Sequence, residues 1–295
     1  MIREQVNDFL NFLNYEKKYS SNTLRAYSKD LNDFLFFMEK ETIKSLVNIK
    51  KQHIHQFLYF LSLKKHKERT VARKLASIKS LFNFLNKKGY LKKNIAKSIA
   101  APKLDKRLPV FLTKDKMSLL LDLPKANNLS EARDILILEL FYSTGVRISE
   151  LVKIKLEDIN YQNNSISILG KGNKRRLVII GNYAKKRLLD FLNYRENIKT
   201  GYLFQNERKS KRDHVSERFV FNIVKKYVKK VTHNQKISPH SLRHTFATHL
   251  LNNGADLMSL KELLGHSDLS STQIYTHVNI EEIKKAFKKS HPHAK

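Results

Sequence analysis

Four short segments in the second half of the chain carry side chains able to act on a phosphate, and each also has a plainer reading. The first is Ser143-Thr144-Gly145-Val146-Arg147-Ile148-Ser149-Glu150-Leu151. Its glycine permits a turn from which a helix starts near Arg147, with Glu150 one turn on. A guanidinium at a helix start lies where anions are favoured, although alone it reads more simply as a surface arginine paired with Glu150. The second is Lys171 in Gly170-Lys171-Gly172-Asn173, where small neighbours leave an ammonium free to swing towards a substrate backbone. The full glycine spacing and the Ser/Thr of a nucleotide-binding loop are missing, and most lysines in such turns are simply solvated.

The third segment, Ser238-Pro239-His240-Ser241-Leu242-Arg243-His244-Thr245-Phe246-Ala247-Thr248-His249, opens a helix with Ser238 as N-cap and Pro239 in its first position. His240 and Arg243 are three apart and share a face. His240 and His244 have the spacing of a zinc pair, but the glutamate of a metalloprotease helix and a third ligand are absent, so no metal is expected. The fourth segment is Leu264-Gly265-His266-Ser267 followed by Ser271-Thr272-Gln273-Ile274-Tyr275-Thr276-His277-Val278. Gly265 ends one helix and Ser270-Ser271 cap the next. Taken alone, Tyr275 in a short amphipathic helix is more often a core residue than a nucleophile.

The elements that must hold these residues are mostly helices. In the first ninety residues apolar positions recur at three and four, as in Val6, Phe9, Leu10, Leu13 and in Leu24, Tyr27, Leu31, Phe34, Leu35. Ser20 to Asn22 cap a helix opened by Thr23, and Gly89 suits the end of a helix from Thr70 to Lys88. That helix carries Val71, Leu75, Ile78 and Phe82 as its apolar stripe and Arg69, Arg73, Lys74 and Lys79 as a basic face. The face reads equally as a phosphate contact or as a solvated surface. Residues 96–112 lose periodicity and bring Pro102, Lys103, Lys106, Arg107 and Pro109, the pattern of an interdomain linker. The expected division is a helical domain at 1–95, a linker at 96–112 and a second domain at 113–295. In the second domain Asp134 to Tyr142 reads as a buried helix. Ser165 to Leu169 and Arg176 to Ile180 read as a hairpin, and helices resume near Tyr183. The fold class is therefore mainly α with one small β-sheet.

Composition narrows the chemistry. With no cysteine there is no disulfide framework, thiol nucleophile or Cys-based zinc site. The 57 basic against 27 acidic side chains leave a net charge of +30, which points to a polyanion such as nucleic acid. The skew of 42 Lys to 15 Arg is also what an AT-rich genome produces by codon bias. Residues 1–100 hold 21 basic and 8 acidic side chains, so both parts of the chain are positive and could grip one duplex as a clamp. No segment has the run of roughly 18 apolar residues that spans a bilayer and no secretory leader is recognisable, so a cytoplasmic protein with no membrane partner is expected.

Arg147, Lys171, His240, Arg243, His266 and Tyr275, in that order, resemble the catalytic set of the tyrosine recombinase and integrase family. The surrounding Thr-Gly-Val-Arg-Ile-Ser-Glu-Leu, Gly-Lys-Gly-Asn-Lys, Pro-His-Ser-Leu-Arg-His-Thr-Phe-Ala-Thr-His, Leu-Gly-His-Ser and Tyr-Thr-His-Val are similar as well. Ser20-Ser21-Asn22-Thr23 with Tyr27, Asp30 and Leu31, and the Arg73-Lys74-Leu75 helix, resemble the family's core-binding domain. The Pro102-Lys103 to Leu108-Pro109 linker and the final His291-Pro292-His293-Ala294 resemble its bacterial Xer branch, which resolves chromosome dimers. The resemblance thus implies an N-terminal helical core-binding domain followed by a tyrosine-recombinase catalytic domain.

On that resemblance Tyr275 attacks the scissile phosphate, and because a phenol with pKa near ~10 is protonated at neutral pH it needs a base, assigned to His240. Arg147 and Arg243 hold the non-bridging oxygens, His266 adds a hydrogen bond, Lys171 protonates the leaving 5′ oxygen, and Glu150 orients Arg147 from behind. The implied intermediate is a 3′-phosphotyrosine beside a free 5′ hydroxyl. Exchange of one ester for another conserves bond energy, so neither nucleotide cofactor nor metal is required. The implied partners are duplex DNA with an inverted-repeat site, a homo- or hetero-tetramer assembled on it, and a possible DNA translocase as activator. Residues 279–290, with Ile280, Ile283 and Phe287 in a row, read as a docking helix between subunits. A type IB topoisomerase uses nearly the same constellation, an integrase of a mobile element shares it, and a non-catalytic DNA-binding protein would leave it unexplained.

Overall fold

Local capping at Ser20 starts the first long helix at Ser21, two residues before the expected Thr23. Ser20 is extended, and its hydroxyl accepts the Thr23 backbone N–H at 3.3 Å. The computed structural model of the chain describes residues 2–43, 45–104, 110–170, 175–195, 201–206 and 213–264. Two compact units divide between Arg107 and Leu108.

The first unit holds α1 (Ile2–Asn11), a wider turn over Phe12–Glu16, α2 (Ser21–Lys40), α3 (Lys51–Leu63) and α4 (Glu68–Lys87). Their apolar stripes meet in a core that includes Phe9, Leu31, Phe34, Phe57, Leu75, Ile78 and Phe82. Gly89, at φ +79°, takes the chain out of α4 in a conformation that costs a side-chain-bearing residue more.

The basic face of α4 needs one correction. Lys74 is only 2% exposed, because it lies three residues after Val71 and four before Ile78, within the apolar stripe itself. Its ammonium is paired with Asp33 and lies 3.4 Å from Oδ1 of Asp30, a carboxylate fully buried on α2. Arg73 also bonds Asp30, and the Ser77 hydroxyl donates to it at 3.0 Å. A buried carboxylate demands such partners, so Lys74 holds α4 to α2 and is no free phosphate contact. Arg69 is exposed and Lys79 partly so.

The second unit is built round α6 (Leu129–Thr144), capped by Asn128, whose Oδ1 accepts the Glu131 N–H at 2.9 Å. From Asp134 to Thr144 every residue of this helix is buried, since α5 (Lys114–Asp122), α8 (Asn182–Tyr194), α9 (Glu217–Val231) and α10 (Pro239–Asn252) pack about it. After the one-turn α7 (Ile148–Leu151) comes an antiparallel sheet, β1 (Ile159–Asn160), β2 (Ser165–Leu169) and β3 (Arg175–Ile179), with Ile166 opposite Val178. The β2–β3 pairing has the expected strands shifted by one residue at β3. The short β1 has no signal in a two-residue stretch. Helix α11 (Leu257–Leu264) follows α10. Ser238 holds the N-cap position of α10 with Pro239 after it, but its hydroxyl makes no capping bond, contrary to expectation. Among the described residues no helix is long and apolar enough to cross a membrane.

Candidate functional site

The site forms where α6 ends. Gly145 stands just past the helix at φ +59°, and its N–H closes the last turn on the Phe141 carbonyl. An ideal Cβ there would lie 2.4 Å from a Phe246 ring carbon, so glycine is required twice, by backbone and by packing. The turn releases the chain into α7 with Arg147 at the N-cap position. Glu150 closes the turn by accepting the Arg147 backbone N–H at 2.8 Å and Arg147 Nη1 at 2.8 Å.

Glu150 has a second arginine partner. Arg176, on β3, donates Nη1 to Oε1 at 3.0 Å and Nη2 to Oε2 at 2.8 Å, a two-pronged bond to the same carboxylate. Burial by itself would raise the Glu150 carboxyl. The Arg176 side chain, the Arg147 backbone N–H and the Arg147 side chain outweigh it and hold the group at about 2. Glu150 is therefore ionised throughout the physiological range.

Arg243 completes the cluster from α10. Its guanidinium is buried, donating Nη1 to the Gly145 carbonyl and Nη2 to the Leu264 carbonyl at 2.6 Å. Burial first, and then the Arg147 charge, lower it to about 10, so it stays a cation at neutral pH. Three guanidiniums thus gather round one carboxylate among the described residues. Arg147 keeps 39% of its side chain exposed, against 14% for Arg176 and 4% for Glu150. The exposed arginine faces solvent and the other two support it, so the arrangement favours an arriving anion.

The structure thus brings Arg147, Glu150 and Arg243 together. His240, in the first turn of α10, is exposed, whereas Arg243 three residues on is buried. His244, partly buried, is lowered first by burial and then by the His240 charge. His249 is a packing residue: Nε2 donates to the Leu112 carbonyl at 2.9 Å, so Nδ1 accepts from the Tyr142 hydroxyl at 3.0 Å. Burial lowers its pKa and favours this neutral form. Lys171, His266, Tyr275, Gly265 and the 279–290 segment lie outside the described residues. Arg176 was missed in the sequence, where it reads only as the start of a strand; its one signal was a charged residue set beside Leu177 and Val178 in a short hairpin.

Comparison with known proteins places the chain in a family. Residues 110–282 match the model of the phage integrase family, and residues 6–89 match that of the phage integrase N-terminal SAM-like domain. The chain belongs to the phage integrase family. Within it, the chain is 41% identical to a tyrosine recombinase XerC of Thermodesulfovibrio yellowstonii, over 98% of this chain and 97% of the relative. It is 36% identical to a tyrosine recombinase XerD of Staphylococcus saprophyticus, over 98% and 99% of the two chains. The crystal structure of XerH site-specific recombinase bound to its difH substrate superposes with a TM-score of 0.68 at 26% identity, covering 90% of this chain and 78% of that one.

Proposed function

We propose that this protein is a site-specific DNA recombinase that cuts and rejoins strands through a 3′-phosphotyrosine on Tyr275. The observation that carries the reading is the cluster of Arg147, Arg176 and Arg243 about the single carboxylate of Glu150, with Arg147 open to solvent. Such a cluster suits a phosphodiester whose non-bridging oxygens gain charge in the transition state. In this reading Arg147 and Arg243 clamp those oxygens, and Arg243 exchanges a carbonyl partner for the phosphate. His240 takes the phenolic proton, His266 adds a hydrogen bond, and Lys171 protonates the departing 5′ oxygen. The exposed position of His240 leaves it open to substrate.

The whole-length similarity to XerC and XerD proteins supports resolution of chromosome dimers as the cellular task, in the cytoplasm. Residues 1–95 and 113–295, joined by 96–112, would each contribute to holding the duplex. Arg69, Arg73 and Lys79 would contribute charge from α4, and the active species would be a tetramer on an inverted-repeat site.

The test is covalent capture. A duplex nicked beside the scissile phosphate loses its short 5′-hydroxyl fragment on cleavage, which traps the protein as an adduct. Its site comes from sequencing DNA held covalently by the wild-type chain. Tyr275→Phe is expected to bind the duplex and form no adduct. An adduct of undiminished yield with the Phe variant would refute the nucleophile assignment.

A further inference from the structure

We propose that Arg176 is a positioning residue for the phosphate clamp: by occupying both oxygens of Glu150 it stops that carboxylate from drawing Arg147 away from the substrate phosphate. The inference rests on the recombinase reading above. It starts from the acceptor capacity of a carboxylate, which is about four hydrogen bonds. Glu150 accepts four. Oε1 takes Arg147 Nη1 and Arg176 Nη1, at 2.8 and 3.0 Å. Oε2 takes the Arg147 backbone N–H and Arg176 Nη2, both at 2.8 Å.

Among the described residues Arg147 is consequently held through one terminal nitrogen only, and none of its other side-chain donors is committed to Glu150. Two parallel bonds to a carboxylate are the preferred geometry of an arginine, and a carboxylate with vacant sites would invite that geometry from Arg147. The Arg147 fork would then turn onto Glu150, where its charge is neutralised and its donors are spent. Arg176 removes that option. It does so from a rigid strand and is largely buried itself, with Nε 3.4 Å from the Leu263 carbonyl. The same end of α11 receives Arg243 through the Leu264 carbonyl, so two arginines tie the clamp to the C-terminal end of α11.

Charge and geometry are separable by substitution. Arg176→Lys keeps the charge and supplies one point donor in place of the fork, while Arg176→Gln loses the charge. Single-turnover cleavage of the nicked duplex and duplex affinity are measured for both, in the wild-type and Arg147→Ala backgrounds, with the full chain. The expected result is cleavage slowed about 100-fold by Arg176→Gln and about 10-fold by Arg176→Lys, the size of effect seen when a reacting group is misplaced by about an ångström. Duplex affinity should change by less than about 3-fold, because many other basic residues hold the DNA.

In the Arg147→Ala background the further loss should fall below about 3-fold, since a residue acting through Arg147 has nothing left to act on. A loss of undiminished size there, or wild-type cleavage by both folded variants, would overturn the proposal. The Nε–H resonance of Arg147 gives a readout free of catalysis: it exchanges rapidly in the wild type, where Nε makes no bond to Glu150, and is shifted and slower to exchange in Arg176→Lys, where the fork turns onto that carboxylate. If the wild-type chain forms no adduct the recombinase reading fails, and this resonance decides the positioning role by itself. An unchanged resonance would then overturn it.

Discussion

Gly145→Ala tests whether the turn after α6 sets the arginine cluster. Alanine at φ +59° occupies the left-handed region, at a cost of about 1–2 kcal/mol. Its Cβ would lie 2.4 and 2.8 Å from two ring carbons of Phe246 and 3.1 Å from Leu264 Cδ2. Neither neighbour can move freely. Phe246 is fully buried, and both belong to a cluster with Leu250, Leu260 and Leu263. Overpacking of this kind costs about 1–3 kcal/mol. Reduced freedom of the unfolded chain returns about 0.4–1 kcal/mol. The net expectation is a loss of about 1–5 kcal/mol.

The functional loss should be larger than the stability loss alone implies, because among the described residues the Gly145 and Leu264 carbonyls are the acceptors that hold Arg243. A two-unit chain need not unfold in one step, so the stability readout is native-state hydrogen exchange of amides in α6 and α10, compared with amides in α2 and α4. Cleavage of the nicked duplex is measured at a temperature where the variant remains folded. The companion variant Gly145→Ala/Phe246→Leu removes the ring and should recover part of the packing cost but none of the backbone cost. Exchange in α6 and α10 within about 0.5 kcal/mol of wild type would refute the argument. So would equal loss of protection in α2 and α4.

Two further outcomes follow from the buried ions. Lys74→Met should destabilise the first unit by about 2–4 kcal/mol, since Asp30 loses a buried partner but keeps Arg73 and Ser77, and the salt dependence of duplex binding should stay unchanged. A shallower salt slope, by about one as for a lost phosphate contact, would mean that Lys74 reaches DNA after all. The second concerns pH. Glu150 is held at about 2, below its ordinary value near ~4.3, so its contribution to stability is present above pH ~4.3 and is lost as pH falls through about 2. Glu150→Gln should therefore melt below wild type by a constant margin from pH 8 to about 5, and the margin should shrink towards pH 2; a margin unchanged between pH 6 and 3 would show that the carboxylate is not held low.

What the sequence determined by itself is whatever depends on neighbours along the chain. The Ser20 cap, the glycine stops at Gly89 and Gly145, the β2–β3 hairpin and the turn that joins Arg147 to Glu150 all follow from spacing of three or four residues or from backbone freedom. The order of Arg147, Lys171, His240, Arg243, His266 and Tyr275 was likewise legible, as was a mainly helical chain in two parts. Tertiary structure decided which charges face one another. Arg176 is 26 residues from Glu150 and Lys74 is 44 from Asp30, and no local period links either pair. His249 shares a helix with His240 and Arg243, yet its partners Leu112 and Tyr142 arrive from other elements and make it a packing residue. Burial is what separates these fates: a charge that folding removes from water must meet a partner, and only the packed chain determines which one is within reach.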